Sequence, residues 1–182
     1  MKRIVITWPE FIADEARHII RLLDEGTDRI HLRKPESDIH DCARLLEAIP
    51  EEYYQRISLH DHFELLRDYP LGGVHLNRRN PLPPEDFKGL VSCSCHSFEE
   101  VERRKQQCDY VFLSPIFNSI SKQGYAAAFT DDELRGAADS GLVDDRVYAL
   151  GGVSADKLPL LTDWHFGGYV QLGAVWKPII KG

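Results

Sequence analysis

The 182-residue sequence has no basic block, no apolar run of membrane-spanning length and, beside Cys93 and Cys95, no obvious further Cys or His pair at the spacing that would complete a zinc site. Each absence excludes a class. Sequence-independent nucleic-acid binding needs many Lys and Arg contacts to phosphate. With 22 Lys+Arg against 29 Asp+Glu, a net −7, no nucleic-acid partner is expected. A membrane span needs about 20 consecutive apolar residues, so no membrane partner is expected either. The start, Met1-Lys2-Arg3 before Ile4-Val5-Ile6, carries charge but too short an apolar segment for a signal peptide. A cytoplasmic location with reduced thiols is the expectation. Of the four cysteines, Cys93 and Cys95 lie two apart in an apolar run, as small buried residues on one face of a strand do. Hydrophobic residues make up 43% and charged residues 28%, which excludes disorder, collagen and coiled coil. No composition break divides the chain, so residues 1–182 are read as one domain.

What is present is alternation. Short β-branched or aromatic runs occur at 3–7, 29–33, 56–60, 73–76, 91–95, 110–113, 147–150 and 169–172. Amphipathic segments lie between them. Residues 11–23 place Ile12, Ala16, Ile19, Ile20 and Leu23 on one helical face. Residues 37–49 do the same with Ile39, Cys42, Leu45, Leu46 and Ile49. Ser97 with Glu100, and Thr130 with Glu133, have capping-box spacing. Ser154 is expected to cap a short helix toward Leu161, and Gly173 to open another.

Strands alternating with helices imply parallel strands joined by right-handed crossovers. Eight of them point to a single (β/α)8 barrel, with a doubly wound open sheet as the fallback. Such barrels usually run to at least about 200 residues, so some helices must be short. Residues 61–69 allow two helical turns. Residues 77–89 carry Pro81, Pro83 and Pro84 and allow only a stub beginning near Pro84.

The expected carboxyl ends of the strands hold the unusual residues: Arg33-Lys34, His60-Asp61-His62, Asn77 to Asn80, Ser94 to Ser97, Ser114 to Lys122, Gly151-Gly152 and Gly173-Ala174. Active sites of these barrels lie at that end. Gly151-Gly152 and Leu172-Gly173 close the seventh and eighth strands, the usual phosphate-binding corner. Ser119 and Ser121 offer hydroxyls, Lys122 an ammonium and Arg33 a bidentate oxyanion clamp. Asp61 is a candidate Mg²⁺ ligand. The histidines at 31, 60, 62 and 75 are read as surface or hydrogen-bonded residues.

These segments also carry a resemblance. Residues 109–122, Asp-Tyr-Val-Phe-Leu-Ser-Pro-Ile-Phe-Asn-Ser-Ile-Ser-Lys, match a (G/S)-P-I-F-x-(T/S)-x-(T/S)-K signature. Ile30 to Lys34 resembles V-Q-L-R-x-K, Gly73 to Leu76 is G-V-H-L, Ser94 to Ser97 is S-x-H-S, and Ala149 to Val153 is A-x-G-G-(I/V). In this order the motifs resemble the thiamine phosphate synthase family, with its sister group of thiazole tautomerases. The resemblance implies a (β/α)8 barrel that couples hydroxymethylpyrimidine diphosphate to a thiazole phosphate with release of diphosphate. By position it assigns catalytic roles to Arg33, Lys122 and Ser94. His31, Lys34 and His60 would line the pyrimidine diphosphate site. Ser119, Ser121, Gly151, Gly152, Leu172 and Gly173 would hold the thiazole phosphate, and Asp61 and Asn80 the Mg²⁺.

Departures mark this chain. Asn80 stands at a second metal carboxylate of the family, and Pro35 at a lysine whose place adjacent Lys34 could take. His31 replaces Gln, His60 replaces Asn, and Gly173 replaces a common Ser. Two other readings stay open: a thiazole tautomerase, and a non-catalytic or regulatory member that binds a phosphorylated thiamine precursor. Association into a homo-oligomer is also open.

Overall fold

A computed structural model describes residues 1–118 and 127–181. Eight parallel strands close into a barrel in chain order. They are β1 (Lys2–Ile6), β2 (Arg29–Leu32), β3 (Ile57–Leu59), β4 (Gly73–Leu76), β5 (Leu90–Cys95), β6 (Tyr110–Leu113), β7 (Val147–Leu150) and β8 (Gly168–Gln171). All eight expected runs are strands, and β8 pairs back onto β1 through Ile4 and Val170. Outside lie α1 (Glu15–Asp24), α2 (Ile39–Glu47), α3 (Phe98–Arg104), α4 (Asp131–Asp139), α5 (Leu158–Asp163) and α6 (Gly173–Lys181). Among the described residues no helix is long and apolar enough to cross a membrane.

Period two along each strand sorts the side chains. Val5, Ile30, Leu32, Ile57 and Leu59 pack outward under α1, α2 and α6. Val74, Cys93, Cys95, Val111 and Val147 do so on the opposite side. The cysteines are buried and free, as expected of small core residues. Trp176 of α6 is fully buried and donates from its indole to the Ile6 carbonyl at 2.7 Å. Burying an indole of roughly 200 Å² at about 25 cal/mol per Å² contributes at most about 5 kcal/mol.

The helices are trimmed where local chemistry competes. Helix α1 starts at Glu15 rather than 11, because Asp14 sits in the left-handed region at φ 52°. Helix α2 starts after Asp38, whose carboxylate accepts from the His40 amide at 2.8 Å. Residues 61–69 form only a 3-10 helix, Phe63–Arg67. The stub expected near Pro84 is absent: residues 77–89 hold turns, since three prolines remove amide donors from a helical ladder. Thr130 and Glu133 form the full capping box. At α3 the box is shifted, with Glu100 reaching back to the His96 amide at 2.7 Å. Ser154 donates to Asp156 at 2.5 Å instead of capping, and α5 begins later, at Leu158.

Candidate active site

The inside of the barrel is unlike the branched apolar filling usual in this fold. Strands β6, β8 and β1 do supply Tyr110, Phe112, Val170, Ile4 and Ile6. From β2 to β5 the inward positions are polar, and His31, Ser58, His75 and Ser92 are all buried. Register puts His31 beside Ser58, and His75 beside Ser92. His60, one residue past β3, is held by its amide on the Leu32 carbonyl at 3.1 Å.

These groups satisfy one another. His31 Nδ1 lies 2.9 Å from His60 Nε2, and His31 Nε2 lies 2.7 Å from the Tyr110 hydroxyl. His75 Nδ1 meets Ser92 Oγ at 2.9 Å and its Nε2 meets Ser94 Oγ at 3.0 Å. The His60 and His75 rings stack with centroids 4.1 Å apart. Burial, more than the neighbouring charges, holds all three imidazoles below the usual histidine range, His75 down to about 3. They are neutral at pH 7.

Above this network a cleft of about 710 Å³ opens at the carboxyl ends of the strands. Arg33, His60, His75, Asn77, Arg78, Ser94, His96, Arg104 and Leu172 line it. Arg33 and Arg78 give its mouth two guanidinium groups, Arg104 at the end of α3 lines its outer side near Cys93, and no Asp or Glu lies among its described lining residues. A chain of net charge −7 therefore concentrates positive charge at one mouth. Thr7 sets Arg33 in place: its hydroxyl accepts from the Arg33 amide at 2.9 Å and donates to the Arg33 carbonyl at 3.2 Å.

Beside the cleft, Asp61 Oδ1 accepts from Arg79 Nη2 at 2.6 Å and Nε at 3.0 Å. Its other oxygen, Oδ2, is buried and has no hydrogen-bond partner among the described residues. Asn80 donates through Nδ2 to the His60 carbonyl at 3.3 Å, which brings it to the same corner as Asp61.

The sequence-derived candidates thus divide. Arg33, His60, Ser94 and Leu172 share the cleft, with Asp61 and Asn80 at its edge. His31 lies one layer below, fully buried and shut off from the cleft by His60. Lys34 is corrected: it points out of the barrel, buried, with Nζ 2.7 Å and 2.8 Å from the two Glu15 oxygens and 2.8 Å from the Trp8 and Glu10 carbonyls. Successive residues on an extended chain face opposite sides, so Lys34 cannot join Arg33 or stand in for the lysine lost at Pro35. Gly151 and Gly152 adopt φ 100° and 64°. A Cβ on Gly152 would meet the Asn118 carbonyl at 2.3 Å, so this turn serves close loop packing. Gly173 opens α6 beside Leu172. Ser119, Ser121 and Lys122 lie outside the described residues. His62 takes φ 55° and turns to the Ser37 carbonyl at 3.0 Å, away from His60.

Sequence reasoning passed over Arg104 and Tyr110. Arg104 ends a helix, where a cation usually faces solvent or the helix dipole. Tyr110 read as strand core, and its phase with His31, Ser58 and Ser92 was the available signal.

A profile of the family described as thiamine monophosphate synthase matches residues 4–174. A solved thiamine phosphate pyrophosphorylase from Bacteroides thetaiotaomicron is 47% identical, covers 97% of this chain and 85% of its own, and superposes with a TM-score of 0.88. The thiamine-phosphate synthase of Serratia proteamaculans is 26% identical over 174 residues, 90% of this chain and 81% of that protein. That of Halalkalibacterium halodurans is also 26% identical, over 87% of this chain and 79% of its own length.

Proposed function

The chain belongs to the thiamine monophosphate synthase family, and from that premise we propose that it joins hydroxymethylpyrimidine diphosphate to a thiazole phosphate in the mouth cleft. The carbon–oxygen bond to the diphosphate breaks, and its electron pair leaves with the diphosphate. The thiazole nitrogen donates its lone pair to the pyrimidine methylene cation, forming the carbon–nitrogen bond. No proton need move, so the barrier is one of charge separation and positioning.

The carrying observation is the cleft mouth lined by Arg33 and Arg78 with no Asp or Glu among its described lining residues. Guanidinium groups hold phosphate oxygens through paired donors and stay charged, which favours the departing diphosphate over the bound ester. Ser94 and His60 supply neutral polar contacts for the pyrimidine, and Leu172 an apolar one. Ser119, Ser121 and Lys122 enter from the sequence signature alone, as further phosphate donors. The start of α6 at Gly173 offers amides to the thiazole phosphate.

The family resemblance also implies Mg²⁺. The buried Oδ2 of Asp61, without a hydrogen-bond partner among the described residues, fits a hard cation. Asp61, with the Asn80 side-chain carbonyl, would hold the ion, which when bound neutralises charge on the leaving diphosphate. Asn80 contributes no charge, so the arginines carry more of that task.

Incubation of the protein with both substrates and Mg²⁺ is expected to yield thiamine phosphate and diphosphate in equal amounts. Binding of the pyrimidine diphosphate by folded protein without product would overturn the proposal and leave the non-catalytic reading.

A further inference from the structure

Three histidines, on β2, just past β3 and on β4, meet inside the barrel, and the chemistry proposed above asks of them only a polar contact from His60. One ring nitrogen from each of His31, His60 and His75 can be chosen so that all three lie within 4.8 Å of one another. We propose that these residues form a site for a zinc-type transition-metal ion at the floor of the mouth cleft, separate from the oxygen ligands of Asp61 and Asn80.

The second contacts of the rings support this. A ligating histidine is typically fixed by a partner on its other nitrogen. His31 has Tyr110 on Nε2 at 2.7 Å, which leaves Nδ1 to face inward. His75 has Ser92 on Nδ1 at 2.9 Å, which leaves Nε2 beside Ser94. His60 presents Nε2 to His31 Nδ1 at 2.9 Å. Two nitrogens bound to tetrahedral zinc at roughly 2.0–2.1 Å stand about 3.3 Å apart. The first pair therefore needs to open by only a few tenths of an ångström, about 0.4 Å by that geometry. The ion takes the place of the hydrogen that now bridges them.

The ligand set also selects the metal. Imidazole nitrogen suits zinc, cobalt and copper, whereas Mg²⁺ prefers oxygen. Three histidines leave a fourth position, as in open zinc sites. Here that position faces Ser94 and the cleft. Entry is through the same cleft, since His60 and His75 both line it.

The test uses the full chain without a histidine tag. Titration with Co²⁺ is expected to load one ion per chain and to give the strong visible absorption of four- or five-coordinate cobalt. Excess Mg²⁺ should leave that spectrum in place, while one equivalent of Zn²⁺ should abolish it. His60→Asn, which keeps a polar side chain there, is expected to lose the absorption. Tyr110→Phe keeps all three ligands and removes only the support on His31; it should weaken binding by about 10–100-fold. No uptake by folded protein at micromolar metal would overturn the proposal. So would a cobalt spectrum that survives His60→Asn, or an affinity unchanged in Tyr110→Phe.

Discussion

Replacing Lys34 by Met tests whether this residue supports the fold or the chemistry. Its ammonium and the Glu15 carboxylate are 0% and 2% exposed, in contact at 2.7 Å. The ammonium has three donors, and the Glu15 carboxylate with the Trp8 and Glu10 carbonyls uses all of them. Burial pushes the Glu15 carboxyl up and the Lys34 ammonium down, and their mutual contact is the largest influence opposing this. Met keeps an unbranched apolar side chain, one atom shorter than that of lysine, and removes the charge. Breaking a buried pair from one side costs about 3–5 kcal/mol, because an uncompensated charge stays behind. For a chain of this size about 1 kcal/mol moves the midpoint by 2–4 °C, so Tm should fall by roughly 6–20 °C. Glu15→Gln should cost a comparable amount. The double variant should lose less than the sum of the two, because neither charge is then stranded. Urea unfolding followed by circular dichroism gives the free energies. A Lys34→Met protein within about 1 kcal/mol of the parent would refute the reasoning. So would a large rise in KM for the pyrimidine diphosphate with stability unchanged, because that would return Lys34 to the cleft.

Other outcomes follow from the same geometry. Arg33→Ala should lower kcat by about 10²–10³ through lost stabilisation of the leaving group, with the melting temperature little changed; steady-state kinetics beside a thermal melt checks it. Gly152→Ala forces a side chain into φ 64° and against the Asn118 carbonyl. It should cost about 1–3 kcal/mol, read by denaturant unfolding. The buried histidines make the metal-free protein acid-sensitive. Their folded pKa values lie below the unfolded value of about 6.5. As pH falls below that value the unfolded chain binds protons that the folded chain does not. Stability is then lost by up to about 1.4 kcal/mol per pH unit for each histidine. An unfolding free energy that stays flat from pH 7 to 5 would contradict the neutral, buried assignment.

The barrel was legible because each strand is a short β-branched run with polar residues at its carboxyl end, as at Ile30 to Arg33. Helix starts were less so. The periodicity at Ile12 and Ala16 is genuine, but the left-handed Asp14 interrupts it, and periodicity does not register a single dihedral. Arg33 and Ser94 could be placed because the end of a strand fixes which way its last residues face. That rule also turns Lys34 away, so its adjacency to Arg33 misled the positional assignment. The histidines at 31, 60 and 75 were legible as hydrogen-bonded residues, but their convergence on one another was not. Metal sites were sought at short spacing, whereas closing the barrel joins His31 to His60 across 29 positions of chain. Only the strand register, which aligns residue 31 with 58 and 75 with 92, reveals that neighbourhood.

The proposed reaction requires the cleft at Arg33 and Arg78, with Asp61 at its edge, to receive the leaving diphosphate. A crystal structure with Mg²⁺ and diphosphate tests it most directly. The anion is expected against Arg33 and Arg78, with the ion on Asp61 Oδ2. A diphosphate bound elsewhere, with Asp61 held by Arg79 alone, would contradict it.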